Sequence, residues 1–474
     1  MLVGEGMEKA EVEKTAMEKT VIETLAGFAA GLQFEYLPVK VRERANDCLF
    51  DLIGCYYGAL GREKNVRLLE KIAGFNRMPE SVLWGTNLSC GTAEAALGIG
   101  TLCYDLEYDD GISMSGHWGS ASIPATFLSV AEHGGDGKDL LAGIVAAYET
   151  GSRISRLFSP ELLRRHVHFP CTMGAFGAIT GYAKGAGFDS RQLAGALSLA
   201  GLFPVGTYST AISGAAGKGL YSGWPNYLGV NCGRLAEAGL TGDVDILESR
   251  DGFGTAVGLD PVKEEAAAYA VKKLGEEYRF MEVYFKPYPC CRWLHAPIHG
   301  ALRLMKKYGI SAKDVEEVRI GGPEFAMMYD THKGYESKVA CQYSIPYTVG
   351  AALLYGKVTT EEFEEEIRVG APMKEISGRI TMVIDEELQR NFPGTFSVNM
   401  ELYTKDGNCY RCSETTPWGP DCPPAREELI EKFRVLTKQV LSEAEVEQWI
   451  SLYQDGVESD GGFLRAINLL KGAG

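Results

Sequence analysis

A chain of 474 residues, 45 % hydrophobic and 23 % charged, has enough apolar content for a large core. No apolar run approaches the roughly twenty residues that span a bilayer, so a membrane is not expected as a partner. The formal net charge of −16 leaves no basic face to neutralise phosphates, which argues against nucleic acid but permits a small anion at a local gathering of cations.

The first stretch, "MLVGEGMEKAEVEKTAMEK", is charged and lacks the apolar centre of a signal peptide. The expected location is therefore cytoplasmic, with Met7 as an alternative start. From Lys14 to about Ala268 the pattern is helical and rich in Gly and Ala. Segments such as "LPVKVRERANDCLFDLIGCYYGAL", "GTAEAALGIGTLCYDL", "KDLLAGIVAAYETGSRISRLF" and "NYLGVNCGRLAEAGL" repeat apolar residues at three and four. The near absence of strands removes a doubly wound nucleotide fold.

Near Tyr278 the character changes. "RFMEVYFKPYP", "DVEEVRIGG" and "GRITMVIDEEL" read as strands, and "FSVNMELYTKDGNCYRCSE" as a hairpin around Asp-Gly. Between them, "LHAPIHGALRLMKKYG" and "SIPYTVGAALLYG" read as helices. The tail from "AREELIEKFRVL" is helical again. The expected fold is thus mainly α. An all-helical domain takes residues 1–272 together with 415–474, and a smaller α+β lid takes 273–414.

Twelve cysteines in such a chain read as free thiols. Cys409 and Cys412 form a C-x-x-C with no fourth ligand at zinc spacing, and strand alternation points them to opposite faces.

Four polar constellations precede helices. In "LEYDDGISMSGHWGSASIPATF", Glu107, Asp109 and Asp110 end one helix and His117 precedes the next. In "RRHVHFPCTMGAFGA", His166 and His168 form an H-x-H, which without a third ligand is a weak metal signal. "GAAGKGLYSG" holds Lys218 among glycines. It misses the phosphate loop, since Ile212 stands at the first glycine and Gly219 at the hydroxyl position, and the dinucleotide loop, since Gly217, Gly219 and Gly223 read G-x-G-x-x-x-G. "FKPYPCCRWLHAPIHG" supplies Lys286, Cys290, Cys291, Arg292 and His295. Each alone has a bland reading as a solvated lysine, a capping histidine or an acidic loop. Together they place cations and helix N-termini about one cavity, as a di- or tricarboxylate requires. Histidine with a nearby carboxylate supplies acid–base capacity, and the chemistry that fits is proton removal alpha to a carboxylate.

These residues resemble the MmgE/PrpD family of 2-methylcitrate dehydratases, cis-aconitate decarboxylases and iminodisuccinate epimerases. "EYDD" followed by "HW" resembles the family's Asp-Phe-Asp-Asp and His-Pro segments. His168 with Gly174, Lys218 in "KGLYSG", "KPYP" and "SIPY" match further segments across nearly the whole chain. The resemblance implies a helical domain built from both chain ends with an α+β lid, a homodimer, and no metal or organic cofactor. It implies a lyase of the 2-methylcitrate dehydratase type on a small polycarboxylate, with epimerisation or decarboxylation as alternatives. The implied catalytic residues are His168, His117, Lys218, Glu107 and Asp110, with Glu107 or Asp110 orienting a histidine. The implied substrate-binding residues are Lys286, Arg292, Tyr347, Tyr221 and Cys291. Four positions depart from the family pattern: Glu107 replaces aspartate, Gly111 threonine, Cys291 histidine and Tyr221 histidine. These turn the expectation away from decarboxylation. Two other classes stay open, a metal-dependent hydrolase using His117, His166, His168 and Asp110, and a carboxylate-binding homologue without activity.

Overall fold

The computed structural model describes residues 19–159, 161–203, 206–392 and 396–471. The charged N-terminal stretch with Met7 lies outside the described residues. What is described is mostly α-helical, with three small sheets. No described helix is long and apolar enough to cross a membrane.

Local chemistry sets many helix starts. Thr20 opens the helix Val21–Gly31 with a capping box, its hydroxyl accepting from the Glu23 amide at 3.1 Å while the Glu23 carboxylate accepts from the Thr20 amide at 2.9 Å. Asp136 opens Gly137–Phe158 in the same way. Four helices form the centre: Trp118–Glu132, Gly137–Phe158, Phe169–Gly185 and Leu220–Glu237. Their spacing depends on missing side chains. A Cβ at Gly181 would collide with Thr126, and one at Gly229 would lie 2.6 Å from the Ala178 methyl.

Buried apolar side chains fall into two clusters. One runs from Val21 to Phe285 and resumes from Leu429 to Leu470, so both ends of the chain build it. The other runs from Cys290 to Leu402 and takes in Tyr104, Cys171 and Tyr221 from the helical part. Those three side chains mark where the two cores meet.

Beside the helices lies a four-stranded sheet. Its first strand, Ile380–Ile384, runs parallel to Val315–Gly322, then Ser397–Thr404 and Cys409–Thr415 follow antiparallel. Val398, Met400, Leu402 and Thr404 alternate inward along Ser397–Thr404. The helices His295–Tyr308 and Ile345–Tyr355 pack against the sheet. Cys409 stands opposite Tyr403 and Cys412 opposite Met400, three residues apart and so on opposite faces.

Two strand expectations shorten. In "RFMEVYFKPYP" only Val283–Tyr284 pairs, because Arg279–Glu282 forms a 3₁₀ turn and Pro287 and Pro289 remove amide donors. In "GRITMVIDEEL" the strand stops at Ile384, where the Asp385 carboxylate caps the helix Glu386–Asn391. The short pairing has a consequence. Gly111–Ile112 lies antiparallel to Val283–Tyr284, which ties the acidic loop to the "KPYP" segment.

Candidate active site

The helix Thr92–Asp105 delivers the chain to Glu107, whose φ of +55° is left-handed and unfavourable for a side chain of this size. That turn sends the carboxylate inward, where Glu107 is 1 % exposed. One oxygen is paired with Lys218. The other accepts from the Lys286 ammonium at 2.9 Å, and Lys286 also reaches the Glu107 carbonyl at 3.0 Å. Burial alone would raise the Glu107 carboxyl, but Lys218 and Lys286 outweigh it and hold the group well below the usual carboxylate range. Lys218 comes from the 3₁₀ turn Ala216–Gly219 and sits 4.1 Å over the Tyr104 ring.

His117 precedes the helix Trp118–Glu132. Its Nδ1 lies 2.9 Å from the Asp110 carbonyl and 3.4 Å from Asp109 Oδ2. Both neighbours are acceptors, so Nδ1 carries the proton and the Nε2 lone pair has no partner among the described residues. The orienting carboxylate is Asp109, which also accepts from Ser120 at 2.6 Å. Burial pushes Asp109 up, yet the His117 contact prevails and sets it below its ordinary value.

His168 precedes the helix Phe169–Gly185 and has the opposite arrangement. Its Nδ1 accepts from the Cys171 amide at 3.3 Å, so the neutral ring carries its proton on Nε2. Burial, reinforced by His117 and Lys218, holds it well below the ordinary histidine range. The Tyr221 ring stacks on it at 3.7 Å.

Tyr104, Glu107, His117, His168, Arg292 and Tyr343 face one cavity at the junction of the two cores. Burial raises Tyr104 and Tyr343 well above their usual value, so both stay phenols and hydrogen-bond donors. Cys291 also lines the cavity, with its thiol pushed up by burial to about 12 and hence neutral. Arg292 donates from Nη1 to the Phe285 carbonyl at 3.2 Å and to Pro417, and lies 4.5 Å from the Tyr284 ring centre. Burial lowers it to about 10, which leaves it a cation at neutral pH, and it has no carboxylate partner among the described residues.

Several expected site residues are placed elsewhere. Asp110 is 2 % exposed and does not line the cavity; it accepts from the Gly119 amide at 3.1 Å and from Tyr148 at 2.6 Å, fixing the helix start behind His117. His117 is oriented by the Asp110 carbonyl and the Asp109 carboxylate, and not by the carboxylate of Glu107 or Asp110. Lys218 and Lys286 stand behind Glu107 rather than on the cavity wall. Tyr221 backs His168 and donates to the Thr207 carbonyl. Tyr347 belongs to the core, because its hydroxyl bonds to the Glu362 carbonyl and its ring packs on Tyr335 and Phe363. Tyr104, Tyr208, Tyr284 and Tyr343 line the cavity without having been singled out, since isolated tyrosines carry no spacing signal. The described residues hold no group of three or more His, Cys, Asp and Glu arranged to bind a metal.

The fold and cavity define a mostly helical protein with a buried cavity lined by two histidines, a carboxylate, an arginine and tyrosines. Comparison with known proteins narrows the class. Residues 23–265 match the MmgE/PrpD N-terminal domain and residues 288–455 the MmgE/PrpD C-terminal domain. The chain belongs to the MmgE/PrpD family. Its relatives include cis-aconitate decarboxylase of Aspergillus terreus, 22 % identical over 450 residues that cover 90 % of this chain and 91 % of that protein. Human cis-aconitate decarboxylase is 24 % identical, covering 93 % of this chain and 92 % of its own. The 2-methylcitrate dehydratase of Cupriavidus necator is 24 % identical over 74 % of this chain and 75 % of that protein.

Proposed function

We propose that the protein is an acid–base lyase that dehydrates a hydroxy carboxylate. The carrying observation is the pair of complementary tautomers, since His117 offers an Nε2 lone pair and His168 an Nε2 proton to the same cavity. The substrate carboxylate pairs with Arg292. His117 removes the proton alpha to it, and the electron pair of the broken C–H bond delocalises into the carboxylate, where Arg292 and the Tyr104 phenol oppose the growing charge. That pair then forms the carbon–carbon double bond as the beta C–O bond breaks. His168 gives its Nε2 proton to the departing oxygen, and water leaves. His117 is left as an imidazolium and His168 as an imidazolate, so charge balances, and a proton passed from the first to the second by way of solvent resets both. Epimerisation shares the first step, with His168 returning a proton to carbon instead of oxygen.

Relatives that are a decarboxylase and dehydratases support carboxylate chemistry of this kind. The test is incubation with a panel of hydroxy carboxylates in deuterium oxide. Formation of an unsaturated acid is expected. Deuterium incorporation without elimination would replace dehydration by epimerisation. Neither event, nor loss of carbon dioxide, across the panel would overturn the reading.

A further inference from the structure

The strands Gly111–Ile112 and Val283–Tyr284 pair only briefly, with Gly111 opposite Tyr284 and Ile112 opposite Val283. Extending that antiparallel register sets Tyr108 opposite Pro287 and Leu106 opposite Pro289. A backbone ladder cannot continue there, because neither proline has an amide to donate. Side chains supply the missing rungs. The Tyr108 hydroxyl donates to the Pro287 carbonyl at 2.8 Å, and the Lys286 ammonium to the Glu107 carbonyl at 3.0 Å. At the last rung the Leu106 and Pro289 carbonyls converge on one donor, the side-chain amide of Gln342, whose Nε2 lies 2.7 Å from the first and 2.9 Å from the second.

Gln342 belongs to neither segment. It follows the short helix Lys338–Cys341, is fully buried, and accepts from the Cys291 amide at 2.9 Å through its own carbonyl. Two carbonyls meeting at one point need a neutral group with two N–H donors, which is what a primary amide offers. Serving both leaves its Oε1 buried without a hydrogen-bond partner among the described residues, so the work of this side chain lies at its nitrogen. Its neighbours reach the same machinery. Ser337 donates to the Gly214 carbonyl at 2.6 Å in the stretch that carries Lys218, Lys338 lies 3.4 Å from the Asp105 carboxylate, and Tyr343 lines the cavity.

We infer that Gln342 is a positioning residue: its amide locks the segment 106–112 in register against 283–289, and so fixes the Asp109 carboxylate and Asp110 carbonyl that orient His117. The consequence for turnover rests on the acid–base reading of His117, whereas the register does not.

Two variants test this. Gln342→Met keeps the approximate length of the side chain and removes both donors. Gln342→Glu, held protonated at pH 5.5 because burial raises a carboxyl, keeps one. Amide hydrogen exchange at that pH is expected to quicken about tenfold or more across 106–112 and at Cys291 in Gln342→Met, and by an intermediate factor in Gln342→Glu. The helix Gly137–Phe158 should stay within about twofold of the wild type in both. Unchanged exchange, a rise shared equally by that helix, or Gln342→Glu no better protected than Gln342→Met overturns the inference. Where Gln342→Met does not fold, the first two outcomes are read from Gln342→Glu. On the hydroxy acid that turns over in the panel, Gln342→Met should lower kcat about tenfold or more with KM within about threefold, and Gln342→Glu should recover part of the loss. Local opening with a wild-type kcat would overturn the positioning role. Should no hydroxy acid react, the lyase reading falls while exchange still decides the register. Should kcat fall without local opening, the lyase reading stands and the inference falls.

Discussion

Replacing Glu107 by glutamine keeps the side-chain shape but leaves Lys218 and Lys286 buried with their shared counter-charge removed. Breaking one side of such a buried network costs on the order of 3–5 kcal/mol. Glu107→Gln is therefore expected to lower the denaturant midpoint sharply at pH 7, and an unchanged midpoint would show that Glu107 is not the anchor of the two lysines. Asp110 makes the opposite kind of contribution. Burial chiefly, helped by Asp109 and opposed by the Tyr148 hydrogen bond, raises its carboxyl to about 7. The folded state then holds a proton that the unfolded chain gives up above roughly pH 4. Its stabilising share is present at low pH and lost as pH rises from about 4 to about 7. Asp110→Asn, which still accepts from the Gly119 amide, is expected to match the wild type near pH 4 and to exceed it at pH 8, by roughly 2–4 kcal/mol. Melting curves against pH check this, and parallel slopes for the two proteins would contradict it.

At the scale of elements, the helix that begins after His117 is seated by its first residue. The Trp118 ring fills the space that a side chain at Gly151 would need, and it also faces Gly177. Gly151→Ala forces a Cβ into that ring and is expected to destabilise by about 1–3 kcal/mol. It should also lower turnover, because Trp118 and His117 move together; full stability and activity in Gly151→Ala would refute the wedge. Much of this architecture is legible in the sequence. The Gly- and Ala-rich helices, the Asp-Gly hairpin and the return of the tail to helix follow from periodicity and turn chemistry. "KPYP" and "RITMVIDEEL" are less legible, because prolines and an aspartate cap decide their ends and these compete with apolar alternation. The site divides in the same way. Glu107 stands out as an acidic residue closing one helix, and His117 and His168 as histidines just before helices. That the Asp109 carboxylate and the Asp110 carbonyl, rather than the carboxylates of Glu107 or Asp110, meet His117 depends on the backbone turn at Glu107, which no pattern of residue types encodes. Tyr347 shows the converse, a matching motif whose hydroxyl is consumed by the Glu362 carbonyl.

For the whole molecule, the acidic balance of −16 contrasts with the cation Arg292 that lines the inner cavity. The long-range field of an acidic molecule does not draw anions in, so an anion bound here would depend on local pairing. Two hydrophobic cores meet around Tyr104, Cys171 and Tyr221, and the histidines sit at that seam with opposed protons. The division of labour between them is the central claim. Its most direct test is solvent deuterium exchange at the substrate's alpha carbon, measured beside elimination in His117→Gln and His168→Gln. His168→Gln should retain exchange while elimination falls by about a hundredfold or more, and His117→Gln should lose both. Loss of exchange in His168→Gln with exchange preserved in His117→Gln would contradict the account.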